Sequence, residues 1–156
     1  YRELYAAGLR DEQQAQKIVD MTGDEKLHLR ILDPSMFNLR TEQQRPSIAA
    51  VYWSNGVQPV YPGMNSRKQG WAIVRRALAH DSAETPLPRL QVLEGAAPNL
   101  VRTLPTMVVD PLDPEDVADS LRGQKTEDHA VDALRYGLCA EAQPPQPQQP
   151  VTLRFG

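Results

Sequence analysis

The stretch Thr126-Glu-Asp-His-Ala-Val-Asp-Ala-Leu-Arg-Tyr-Gly-Leu138 constrains the fold more than any other part of the chain. Wound as a helix, it places Asp128, His129 and Asp132 on one face, because residues three and four apart are neighbours. Val131, Leu134 and Leu138 form a stripe on the other face, which has to be covered by the rest of the chain. The helix must therefore pack along one side and leave its acidic entrance open. Three groups able to bind metal or carry a proton, gathered at a helix entrance, point to a divalent-metal site.

The rest of the sequence supplies what that helix needs. At 156 residues the chain is long enough for one domain with a real core. It starts at Tyr1 and reads as a piece of a longer protein. Asp11 to about Met21 predicts a helix with Ala15, Ile18 and Val19 inward, Asp11 as its cap and Gly23 as its end. Leu27 to Leu32 reads as a half-buried strand stopped by Asp33-Pro34. Ser47 to Trp53 predicts a short helix closed by Asn55-Gly56, and Val57 to Tyr61 a short strand broken by Pro62-Gly63. A further helix runs from Asn65 or Ser66 to about His80, with Trp71, Val74 and Leu78 inward. Leu90 to Leu93 predicts a strand, Pro98 to Leu104 a short helix and Met107 to Val109 a strand piece. Residues 110–123 read as loop, with a turn over 115–121, and the last helix runs from Glu127 to about Glu141. Glu3 to Gly8 reads as a strand end entering a turn, while 38–46 and 81–88 read as loops. Alternating strands and helices argue for an α/β fold. Residues 1–141 form the expected domain. Residues 142–156 form a tail whose 143–150 stretch is Gln and Pro only, which favours an extended polyproline-like conformation over a core.

Charge and composition narrow the functional classes. A net charge of −3 gives no global positive field for nucleic acid. A nuclease that holds metal in an acidic pocket is still compatible with it. The single cysteine, Cys139, cannot form an internal disulfide and suits a reducing compartment. No apolar run approaches the roughly 20 residues that span a bilayer, and no secretory leader is visible. The chain lacks a Gly-rich Walker loop, a CxxC pair and a GxSxG elbow, so the sequence points away from nucleotide hydrolysis, zinc and serine hydrolase chemistry.

Three constellations remain. Asp33 ends an apolar strand, where carboxylates of α/β sites often emerge, and Asp33-Pro34 is equally a turn signal. Asp128, His129 and Asp132 offer oxygen ligands for Mg²⁺ or Mn²⁺, with the imidazole widening the choice toward Mn²⁺. Capping and the helix dipole account for Asp128 and leave Asp132, one turn further in, unexplained. Arg67, Lys68, Arg75 and Arg76 lie along one helix. They are placed either to hold DNA phosphates or to form an ordinary solvated face. The acids Asp110, Asp113, Glu115, Asp116 and Asp119 read as a solvated run.

Taken in order, these pieces resemble the nuclease domain of tailed-phage terminase large subunits. Asp128-His-Ala-Val-Asp-Ala-Leu-Arg-Tyr136 resembles its closing motif. Arg2-Glu-Leu-Tyr-Ala-Ala-Gly8 resembles the segment after its third strand, and Leu29-Arg-Ile-Leu-Asp-Pro-Ser35 the strand carrying its second acid. Asn65-Ser-Arg-Lys-Gln-Gly70 resembles the start of its middle helix. Pro98 to Pro105, Asp110 and Pro114-Glu-Asp116 match the run before its last helix. The likeness extends over about residues 1–140.

That resemblance implies an RNase H-like mixed sheet flanked by helices, with the opening strands and the first metal-binding acid upstream of Tyr1. It implies a metal-dependent DNA endonuclease that cuts concatemeric viral DNA through two Mg²⁺ or Mn²⁺ ions about 4 Å apart. Asp33 then corresponds to the second acid and Asp132 to the third, with His129 beside it and Asp128 as an extra ligand or proton carrier. The implied partners are double-stranded viral DNA, the portal protein, the small terminase subunit and an ATPase domain preceding this segment in the same chain. The implied location is the host cytoplasm, at the procapsid portal, with no membrane association. The piece by itself is expected to bind metal weakly and cleave poorly. The alternative is a non-catalytic RNase H-like module docking on portal, small subunit or DNA. A resolvase or transposase of the same fold would be expected to be more basic.

Overall fold

The computed structural model describes residues 2–40, 45–80, 87–121 and 123–144. It is a mixed helix-and-sheet chain. The segment read as one domain divides into two compact units, residues 6–63 and residues 1–5 with 64–142. The tail beyond residue 144, most of the 81–88 loop and the middle of the 38–46 loop lie outside the described residues.

In the 6–63 unit, helix α1 spans Asp11–Thr22 and ends at Gly23, whose φ of 54° favours a residue without a Cβ. Asp11 is not its cap. The chain enters at Arg10, whose N–H donates to the Gln13 side chain at 3.0 Å. Asp11 is instead the first helical residue, where a carboxylate suits the dipole, and it pairs with Arg40 at 2.5 Å. Helix α2 spans Ile48–Ser54, and the Ser47 hydroxyl accepts from the Ala50 N–H at 3.1 Å. Ala15 of α1 and Ala49 of α2 are fully buried, and with Tyr52, Val57 and Val60 they form the core of this unit. Ile18, Val19, Leu32, Phe37 and Trp53 pack on that core.

The sheet here is shorter than the sequence predicts. Strands β1, Ile31–Leu32, and β2, Tyr61–Pro62, pair in parallel. Pro62 does not break the pairing. The Tyr61 and Gly63 N–H groups donate to Arg30 and Leu32 at 2.9 and 2.8 Å, so the ladder asks nothing of the intervening imide nitrogen.

In the other unit, helix α3 spans Arg67–Leu78 and helix α5 His129–Ala142, and the two pack on each other. The inward line of α3 is Gly70, Trp71, Val74 and Ala77, and Leu78 is 40% exposed rather than buried. Trp71, Val74, Val117 and Val131 form the core, flanked by Leu100, Leu104, Met107 and Leu138. Helix α4, Pro98–Thr103, runs into a 3₁₀ turn over Leu104–Thr106. Its entrance is capped from the chain's beginning. Glu3 accepts from the Asn99 and Leu100 N–H groups at 2.9 and 3.0 Å. The segment read as a strand end is therefore a remote helix cap.

Leu90–Leu93 is not a strand. Its N–H groups join no ladder, although Leu90 N–H donates to the Ala77 carbonyl at 2.9 Å, and Leu93 is 69% exposed. Val109 forms a single antiparallel bridge with Val117. The 110–123 segment ends in a tight antiparallel pair, β3 at Ser120–Leu121 and β4 at Gln124–Lys125, which the sequence reading missed. Among the described residues no helix is long and apolar enough to cross a membrane.

Candidate functional site

Helix α5 begins later than the sequence suggests. Its first residue is His129, and the Asp128 carbonyl accepts from the Asp132 N–H at 2.7 Å, which makes Asp128 the entrance residue. Of the three acid-face groups, Asp128 is the most covered, with a side chain 20% exposed, and His129 stands out at 76%. The His129 Nδ1 lies 3.9 Å from Asp128 Oδ1, within Coulombic reach but beyond a hydrogen bond.

Asp132 is held differently. Its Oδ1 accepts from Arg135 Nε at 3.0 Å, and its side chain is 28% exposed. No hydrogen-bond partner for its second oxygen occurs among the described residues. Arg135 is the surprise of the helix. The apolar stripe read from the sequence was Val131, Leu134 and Leu138, but the most buried line runs Val131, Arg135, Cys139. The Arg135 side chain is 4% exposed, and its guanidinium lies 4.4 Å over the Tyr136 ring. Burial pushes its pKa down, but the Asp132 hydrogen bond and charge more than offset this and hold it above the usual arginine value. Cys139 is buried, and burial pushes its thiol up, which suits an unreactive core residue.

The four cations of α3 are placed as follows. Arg67 Nε lies 3.2 Å from Asp116 Oδ1 and its Nη1 2.5 Å from Asp119 Oδ1, while Nη2 donates to the Val117 carbonyl at 3.3 Å. Lys68 Nζ lies 2.6 Å from Asp113 and 3.8 Å from Glu115. Arg75 donates to the Glu115 carbonyl at 3.2 Å, and Arg76 is exposed. The acid run is thus the partner of this helix rather than a separate solvated face. Two of its acids also shape their own loop: Asp110 Oδ1 accepts from the Leu112 N–H at 2.8 Å, and Asp116 Oδ1 from the Val117 N–H at 2.7 Å.

Asp33, in the 6–63 unit, directly follows β1. Its Oδ1 accepts from the Ser35 N–H at 2.7 Å and caps a 3₁₀ turn over Pro34–Phe37, so the Asp-Pro turn is realised. A carboxylate at a strand's end and a capping carboxylate are here the same group.

A hard divalent cation fits the α5 entrance in kind, since the donors are two carboxylates and an imidazole and one Asp132 oxygen is unclaimed. In number the set is partial. Among the described residues no three His, Cys, Asp or Glu side chains converge closely enough to hold an ion. No protein-family model matches the sequence, and no characterised protein or solved structure is significantly similar to it.

Proposed function

We propose that this chain is part of a metal-dependent DNA endonuclease of the terminase large-subunit type, with an RNase H-like nuclease fold. The observation that carries the reading is Asp132. It sits at the start of a helix whose sequence resembles the closing motif of that family, half-covered, with one oxygen fixed by a buried arginine and the other unclaimed.

Asp132 would hold Mg²⁺ or Mn²⁺, with Asp128 and His129 beside it. Asp33 enters through the resemblance, as the acid at a strand end. A bound ion would supply Lewis acidity toward a phosphodiester and a lowered pKa for attacking water. Asp132 would keep one oxygen on the metal while Arg135 holds its orientation. His129, exposed at 76%, is free to approach a substrate phosphate or take a proton at its imidazole. Double-stranded DNA is the substrate of this reading. Portal, small terminase subunit and an ATPase domain of the same protein would be its partners, and a procapsid portal in the host cytoplasm its place of work.

The second reading, a non-catalytic docking module, draws support from α3. Arg67 and Lys68 already have acid partners within the unit, so this helix offers a packed surface more readily than a phosphate track.

Plasmid cleavage with Mn²⁺ tests the choice, using the chain within its full reading frame. Wild type is expected to cleave, and Asp33→Ala and Asp132→Ala to fall to background. A folded wild type that leaves the plasmid intact would favour the docking module.

A further inference from the structure

Arginine has no obvious reason to occupy the centre of a packed helix face. Burying its guanidinium is costly unless charge and hydrogen bonds are met. In this protein Nε reaches Asp132 and the guanidinium lies over the Tyr136 ring, while Nη1 is buried without a hydrogen-bond partner among the described residues. A side chain kept under such conditions is being used for its direction. The room for it comes from the facing helix. A Cβ built on Gly70 of α3 would lie 2.8 Å from both Cγ and Cδ of Arg135 and 3.1 Å from its Nη1. Real Cβ atoms do not approach so closely, so any side chain at position 70 must push the arginine aside. Gly70 sits inside a helix with an ordinary backbone, where glycine is a poorer helix former than alanine. Close approach accounts for its presence.

We propose that Arg135 is a positioning residue, clamped across Gly70, that fixes the Asp132 carboxylate so that its second oxygen faces outward as a ligand. This deepens the metal-site reading and rests on it for the ligand role. The clamp itself stands on the packing of α3 against α5. An outer partner of this kind orients a metal-binding carboxylate, and its loss typically weakens metal affinity 10- to 100-fold.

The experiment pairs two measurements on the intact chain. The first follows the arginine Nε–H signals by ¹H–¹⁵N NMR, without metal. One signal, identified by its loss in Arg135→Lys, should be protected from exchange, and it should lose that protection in both Asp132→Ala and Gly70→Ala. Removing Asp132 leaves a buried guanidinium without its carboxylate, so Asp132→Asn, which keeps the side chain's shape and should speed exchange of that signal, keeps the test open if Asp132→Ala or Gly70→Ala fails to fold. The second titrates Mn²⁺ calorimetrically into wild type, Asp132→Asn, Gly70→Ala and Arg135→Lys, with folding checked by circular dichroism. Folded Gly70→Ala and Arg135→Lys should bind about tenfold more weakly than wild type. An Arg135 signal that exchanges freely, or is indifferent to Asp132, overturns the clamp. A Gly70→Ala protein with its clamp lost but wild-type Mn²⁺ affinity overturns the positioning role. A protected signal that depends on Asp132, in a wild type showing no Asp132-dependent Mn²⁺ binding, upholds the clamp and removes the ligand role together with the metal-site reading.

Discussion

Glu127 shows how a single side chain can carry a pH dependence before any chemistry is considered. Arg102 donates to both of its oxygens, at 2.8 and 2.6 Å, and the Tyr5 hydroxyl donates to one of them. The Arg102 hydrogen bonds first, and the Tyr5 hydrogen bond next, draw its pKa from 4.5 down to about 2. The same contact raises the Tyr5 hydroxyl, because a proton there is held by the carboxylate. Since the folded pKa is the lower one, the folded state favours the charged form. The stabilisation is therefore complete above about pH 4.5 and is lost as pH falls toward about 2. The group is exposed, so salt should weaken the effect. Urea midpoints measured across that window should fall less steeply with acidification for Glu127→Gln than for wild type. Equal slopes would mean that the Arg102–Tyr5–Glu127 contact does not persist in solution.

Helices α3 and α5 show which parts of an element can be read along the chain. The α3 positions Trp71 and Val74 are inward, as the 3.6-residue period requires, and Val131 of α5 is fully buried. Buried Arg135 was not legible, because its place depends on an absent side chain on the other helix, at Gly70. The basic residues of α3 and the acids of 110–119 were each legible as charge runs, but their pairing joins residues 40 to 52 apart in sequence. Those pairs differ in worth. Arg67, 31% exposed, serves two carboxylates and a carbonyl, whereas Lys68 is 51% exposed, with partners 36% and 74% exposed. For Arg67, burial alone would lower the pKa, and the Asp119 and Asp116 contacts raise it above the ordinary value. Arg67→Ala should therefore cost about 1 kcal/mol in urea unfolding, while Lys68→Ala should leave the midpoint where it was. Equal losses would show that the acid segment is held by net charge rather than by the geometry of the guanidinium.

For the whole molecule, the sequence reading placed the helices well and overestimated the sheet. Helices announce themselves locally, through period, caps and Gly ends, and α1, α2, α3, α4 and α5 all lie within a few residues of expectation. A strand is defined by its partner. Leu90–Leu93 has the apolar content of a strand yet no ladder to join among the described residues, and Leu27–Leu32 pairs only over its last two residues. The described residues fall into two compact units, each with its own apolar cluster. The chain's two tryptophans fall one in each: Trp71 is in the core of one, and Trp53 packs on the core of the other. Each is thus a fluorescence reporter for its own cluster once the other is replaced by Phe. Val131 is fully buried beside Trp71, and truncating it to Ala should cost about 2 kcal/mol through lost burial and the cavity left behind. In urea, Val131→Ala should move the transition reported by Trp71 and leave that reported by Trp53 nearly unchanged. If both move together by the same amount, the clusters unfold as one cooperative body.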